Sequence, residues 1–110
     1  MNTRRHRSPY LALIRERYYM LEAHAQKQHQ EGQERHEVVI TYHSPAGAII
    51  EVVDDIFADE DSGTLLIEGK DQQGNYCEAV ACCPQSAHFV LKLLPISLEA
   101  TPKPKPGFVQ

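Results

Sequence analysis

The chain has 110 residues, of which 42% are apolar and 24% are charged, a length that allows one domain with one modest core. Its charge is unevenly spread, because residues 37–95 hold ten Asp or Glu but only Lys70 and Lys92. Binding to nucleic acid depends on Lys and Arg that neutralise phosphates. The acidic body therefore disfavours nucleic acid as a direct ligand, and it indicates either a basic partner or plain solubility.

No apolar run approaches the roughly 18 to 20 residues of a membrane helix. Charged residues at 15–17 interrupt the apolar patches after the basic N-terminus, a pattern that excludes a secretory signal. Three cysteines, Cys77, Cys82 and Cys83, lie within seven residues. An odd number so closely spaced is no disulfide framework. We therefore expect reduced thiols and a cytoplasmic protein.

The N-terminal part predicts a helix over about residues 9–30. Ser8 is placed to cap it, and Pro9 stands at the first helical position, where its missing N–H costs nothing. Apolar residues then recur at spacings of three and four, which is typical of one helix face. This stripe either packs on the protein's own sheet or forms a self-association face in a homodimer. Its residues are Leu11, Ile14, Tyr18 and Leu21.

After a polar linker that runs to residue 36, the apolar period changes from 3.6 to 2, which is typical of strands. Five strands are predicted, at 37–43, 48–58, 64–70, 76–83 and 89–95. Tight turns separate the first four of them. We therefore predict an α+β fold in which the helix precedes a five-stranded antiparallel β-barrel over residues 37–95. Residues 1–8 and the Pro/Lys-rich residues 96–110 are expected to be flexible extensions.

A helix followed by five bent strands, with a short helical turn before the last, resembles the Sm-like and SH3-like small barrels. Within that group the stretch from Val38 to Phe89 is similar to the Rho-binding antiterminator family, known as Rof. The segments that carry the similarity are VVITYHSPAG, VVDDIFAD and TLLIEGKDQQGNYCEAV. The resemblance implies a small acidic barrel that covers a basic RNA-binding surface on a transcription-termination factor.

Five acidic residues cluster where the second predicted strand ends. Such a cluster would steer a basic partner and set its orientation. The alternative is that a loop tip is acidic because it is solvated, and that Asp54 or Asp55 keeps an edge strand from pairing with another chain. The predicted partner-binding residues are Asp54, Asp55, Asp59, Glu60 and Asp61.

Cysteine and histidine residues raise the question of a metal site or a catalytic thiol. Cys77, Cys82, Cys83 and His88 have the residue types of a zinc site, but adjacent cysteines on a strand point to opposite faces. Core cysteines explain the same positions, and no base held by a third group stands near them in the sequence. The histidines of the polar linker are not at the i, i+4 spacing of a helical metal pair. We therefore predict no metal, no cofactor and no catalytic residues.

The sequence thus predicts a non-enzymatic regulatory module whose acidic barrel rim binds a basic protein surface, such as that of a Rho-like nucleic-acid-processing factor. The alternative is a direct RNA-binding protein of the Sm type. That protein would use the basic N-terminus and the lysines of the tail, Lys103 and Lys105.

Overall fold

A computed structural model of the chain describes residues 8–59, 61–82, 88–101 and 103–110. Helix α1 spans Pro9–Gln30, as its apolar spacing and capping residues predict. The Leu11 N–H donates a hydrogen bond of 3.2 Å to Ser8 Oγ, so the predicted N-cap forms. The chain leaves the helix through Glu31 and then Gly32, whose φ of 92° is a left-handed conformation that favours glycine.

Six strands follow in the described residues, and five of them lie close to the predicted positions. Strands β1 to β5 form a sheet in the order β4-β3-β2-β1-β5, with every neighbouring pair antiparallel. Their bounds are His36–His43 for β1, Ile49–Ala58 for β2, Leu65–Lys70 for β3, Tyr76–Ala81 for β4 and His88–Pro95 for β5. One helix on an antiparallel sheet confirms the α+β class.

The sixth strand, β6, spans Gly107–Val109 and lies in the tail that the sequence predicts to be flexible. Strand β1 pairs with β2 only from Thr41 to His43, and β6 pairs with the later part of β2 in parallel register at residues 55–57. The Phe108 side chain packs against the hydrophobic core. Tertiary contacts therefore hold the end of this Pro-rich tail, although it has little core of its own.

The sheet is open where a barrel would close. Strands β4 and β5 stand at opposite ends of the strand order, and within the described parts of the chain no pairing joins them. The structure therefore supports the predicted class and the order of its elements but not the predicted closure.

The core lies between α1 and one face of the sheet. Its five largest fully buried side chains are Leu11, Ile40, Ile56, Leu65 and Ile67. Ile14 and Tyr18 of α1 are buried in the same cluster, so the helix packs on its own sheet. Three of the four residues predicted as a self-association stripe are thereby covered within the chain, and Leu21 is half-buried.

No helix in the described part of the chain has both the length and the apolar character needed to cross a membrane.

Candidate interaction surface

A β-bulge in β2 positions Asp54 and Asp55. The β2–β3 register shifts between Val52 and Ile56, so residues 53–55 of β2 face the single residue Glu68 of β3. The backbone N–H of Asp55 donates to Glu68 Oε1 over 3.4 Å, which replaces a ladder hydrogen bond that the bulge removes. Asp54 is exposed and Asp55 is half-buried. The bulge thus turns one carboxylate to solvent in the middle of a long strand.

The second carboxylate of the bulge has an internal partner. Asp55 Oδ1 accepts a hydrogen bond of 3.2 Å from the N–H of Gly107 at the start of β6. A Cβ at Gly107 would collide with that same carboxylate oxygen, so a residue without a side chain suits this position. Asp55 therefore helps to hold the tail, and less of its charge is available to a partner.

Asp59 and Asp61, two of the other predicted acids, lie in the turn that joins β2 to β3. Asp59 Oδ2 accepts a hydrogen bond of 2.7 Å from Ser62 Oγ, and its Oδ1 accepts one of 3.2 Å from the Asp61 N–H. The hydrogen bond from Ser62, followed by that from Asp61, lowers the pKa of Asp59. Asp61 is exposed, whereas Glu60 lies outside the described residues. Asp59 thus organises its own turn, and Asp61 is the exposed charge beside it.

These acids form two groups rather than one rim. Asp59 follows Asp55 by four positions along the chain, a distance of about 13 Å at the usual rise per strand residue. One group lies at the bulge and the other at the turn. Their grouping does not test whether these acids bind a partner, which stays a prediction.

The structure adds Glu68, Tyr76 and Glu78 to the bulge group. Glu68 of β3 and Glu78 of β4 are direct cross-strand partners, and like charges at such positions are destabilising. Desolvation, followed by the negative charges of Glu68, Asp54 and Glu78, raises the pKa of Tyr76. We call Asp54, Glu68, Tyr76 and Glu78 the acidic face.

The length of the turn between β3 and β4 could have indicated this cluster from the sequence. Residues Asp71–Asn75 form a tight turn in which Asp71 Oδ1 accepts the N–H groups of Gln73 and Asn75 at 2.9 Å. A five-residue turn between two strands pairs Lys70 with Tyr76 and therefore Glu68 with Glu78. Sequence reasoning that looked for acids close together along the chain missed a pair that lies ten residues apart.

An apolar row borders the acidic face. Phe57 of β2 is paired with Leu66 of β3, and Leu66 is paired with Val80 of β4. Val109 of β6 stands beside Phe57 at the other end of the row. Val80 is 61% exposed. The outer surface of the sheet thus joins carboxylates to exposed apolar side chains, a combination found in protein interfaces.

A groove of about 730 Å³ lies on another side of the molecule, between α1, the diverging strands β1 and β2, and residues 103–106. The Lys103 Nζ contacts Glu51 Oε2 at 3.0 Å, and the Lys105 Nζ contacts Glu22 Oε2 at 3.0 Å. These ion pairs tie the tail across the groove. They also engage Lys103 and Lys105, the two tail lysines that the RNA-binding alternative names beside the basic N-terminus.

The cysteine and histidine positions do not converge in the described part of the chain. Cys77 is half-buried and Cys82 is exposed, while Cys83 lies outside the described residues. His88 stands opposite His43 across the β1–β5 pairing. No group of three or more possible metal ligands occurs among the residues that the structure describes.

No protein-family model matches this chain, and the searches of curated proteins and of solved structures found no match either.

Proposed function

We propose that this protein is a non-enzymatic regulatory module whose acidic face binds a basic surface of a partner protein. The observation that carries the proposal is the convergence of carboxylates from three strands around Tyr76. Asp54, Glu68 and Glu78 all act on that phenol, and the last two are direct cross-strand partners. Like charges at such positions are destabilising, by roughly the 0.2–1 kcal/mol that exposed charge pairs contribute. Lys or Arg side chains of a partner would relieve that repulsion.

The surroundings of the acidic face favour a protein partner. Exposed apolar atoms of Tyr76 and Val80 lie beside the carboxylates, so they offer area that a partner can bury while its cations meet the acids. Charges of this kind mainly steer association and fix orientation. The exposed Asp61 at the β2–β3 turn extends the same negative field.

The finer predictions on fold and partner belong to this proposal. We propose that the sheet is an open variant of the Sm-like or SH3-like small barrel, on the strength of its strand order and leading helix. The resemblance to the Rof family suggests the partner class, which is a basic RNA-binding surface on a transcription-termination or RNA-processing factor. An acidic face on such a module would compete with RNA phosphates for the same cations.

The test is the direct binding of partner protein by matched charge variants. The double variant Asp54→Lys with Glu78→Lys reverses two exposed acids of the acidic face. Glu16→Lys with Glu99→Lys gives the same change in net charge at exposed positions on α1 and after β5. Asp59 is not used, because its reversal would also remove the hydrogen bonds of its turn.

Tagged protein would first capture partners from host lysate after nuclease treatment, and the captured protein would then be purified and titrated at two salt concentrations. We expect a basic protein to bind the wild type and the Glu16/Glu99 variant, more weakly at higher salt, and to lose affinity for the acidic-face variant. Equal affinity for all three proteins would overturn the proposal. Recovery of RNA alone, with tighter binding to the acidic-face variant, would favour the RNA-binding alternative.

A further inference from the structure

Strand β4 has a free edge among the residues that the structure describes. Across the described ranges it is paired only with β3 and ends the strand order. Alternate residues of this six-residue strand present backbone N–H and C=O groups along about 20 Å of edge. Such an edge is a template for the addition of another strand.

The two ends of the sheet differ in how they are protected. Strand β5 carries Lys92 and ends in Pro95, two residue types that block strand addition at edges, and α1 packs against it. Strand β4, with the sequence YCEAVA, contains neither a lysine nor a proline. If one edge of this sheet is used for binding, the residues favour β4.

The outer side of β4 carries a row of three exposed side chains. Tyr76 is 54% exposed, Val80 is 61% exposed, and Glu78 lies between them. On the β3 side their direct partners are Lys70, Leu66 and Glu68, respectively. An added strand would place every second side chain opposite this row, in which one apolar position lies on each side of the anionic position.

We propose that the β4 edge takes up an extended basic segment of a partner protein as an added strand. The segment has an aliphatic residue opposite Val80, an Arg or Lys opposite Glu78 and an aliphatic residue opposite Tyr76, where Lys70 already supplies a cation. Charge complementarity selects a basic segment, because Glu68 and Asp54 stand close to Glu78 and Tyr76. This inference rests on the proposed function and names how the acidic face is engaged.

The probe is the synthetic peptide acetyl-Arg-Val-Thr-Arg-Thr-Val-Arg-amide, titrated into the full ¹⁵N-labelled chain. Its sequence reads the same in both directions, so it fits either strand orientation. Two modified versions of the peptide each carry three backbone N-methyl groups. The first version is methylated at both Val residues and the central Arg, and the second at both Thr residues and the last Arg. Each version keeps every charge, but only one removes the N–H groups that face β4.

We expect the unmodified peptide to shift the amide signals of β4 and to slow hydrogen exchange at alternate β4 residues. One N-methylated version loses at least about tenfold in affinity, as the removal of one or two net hydrogen bonds requires, and the other stays within about twofold of the unmodified peptide. Glu78→Gln weakens the unmodified peptide, whereas Glu16→Gln on α1 does not.

Other outcomes overturn the inference in distinguishable ways. Equal binding by both N-methylated versions means that charge alone attracts the peptide, which removes the added strand and leaves the proposed function standing. If dilution of the protein without peptide shifts the β4 amide signals, and the undiluted protein has twice the mass of one chain, a second copy of the chain occupies the edge. Absence of peptide binding removes the added strand, and the proposed function also fails if the Asp54/Glu78 reversal leaves partner binding unchanged.

Discussion

Strand β3 at the centre of the sheet and strand β4 at its edge show the same alternation of burial along the strand but have opposite surroundings. Strands β2 and β3 bury Ile56, Leu65 and Ile67 completely, because these side chains share one core cluster with residues of α1 and because both strands have neighbours on either side. Strand β4 alternates as regularly, yet Val80 is more than half exposed and its glutamate stands opposite another. Alternation predicts a strand, but the number of neighbours decides which side chains hold the fold and which remain free to bind.

The largest expected effect separates these regions by stability. Ile67→Ala leaves a cavity in the core and should lower the free energy of unfolding by about 2–5 kcal/mol. Val80→Ala on the neighbouring strand should change it by no more than about 0.5 kcal/mol, because that side chain is exposed. Urea unfolding of both variants measures the two free energies of unfolding. Similar losses of stability would contradict the distinction between the central strands and the β4 edge.

The tail gives the next effect. Phe108 is half-buried, and its ring centroid lies 5.7 Å from that of Tyr18. Phe108→Ala should therefore cost about 1–3 kcal/mol, less than a fully buried Phe, and should speed amide exchange at residues 55–57 of β2. Val109→Ala on the same short strand is the control. If Phe108→Ala leaves the free energy of unfolding unchanged, the result would instead support the flexible tail that the sequence predicts.

Tyr18 provides a test by pH. Burial, with the charges of Glu22, Tyr19 and Glu37, raises the pKa of Tyr18 to about 12. Its contribution to stability is fully present below the unfolded-state pKa of about 10 and is lost as the pH rises through 12, with a difference of about 1 kcal/mol at pH 11.

The measurement is ultraviolet titration of the phenolates together with urea unfolding at pH 8 and pH 11. Tyr18→Phe should remove a late-titrating phenolate and weaken the loss of stability between those two pH values. If the variant loses as much stability as the wild type over this interval, Tyr18 is not the group responsible.

The smallest effect concerns the acidic face itself. Glu78→Gln should raise the free energy of unfolding at low salt, because it removes a like-charge pair with Glu68, and the gain should be about the 0.2–1 kcal/mol typical of exposed charge pairs. The gain should shrink as salt is added, and the pKa of Tyr76 should fall towards its ordinary value. Glu16→Gln is the control on α1. A loss of stability in Glu78→Gln would mean that the carboxylate supports the fold rather than weakening it.

The local elements of this protein follow from local chemistry. Ser8 and Pro9 fix where α1 begins, since a capping oxygen and a preset φ suit the first turn. The SPAG turn closes with a hydrogen bond of 3.0 Å from the Gly47 N–H to the Ser44 carbonyl oxygen. Neighbours within a few residues decide these features, so the sequence alone determines them, together with five of the six strands and the acidic character of residues 37–95.

Contacts between distant segments were decided only in the tertiary structure. A three-residue strand such as β6 has no periodic signal, and it forms because β1 diverges from β2 and leaves an edge that Gly107 and Phe108 can occupy. The bulge at Asp54 and Asp55 appears only when β2 meets the shorter β3. The acidic face depends on that bulge and on the pairing of Glu68 with Glu78, because charges far apart along a chain become neighbours only through strand register.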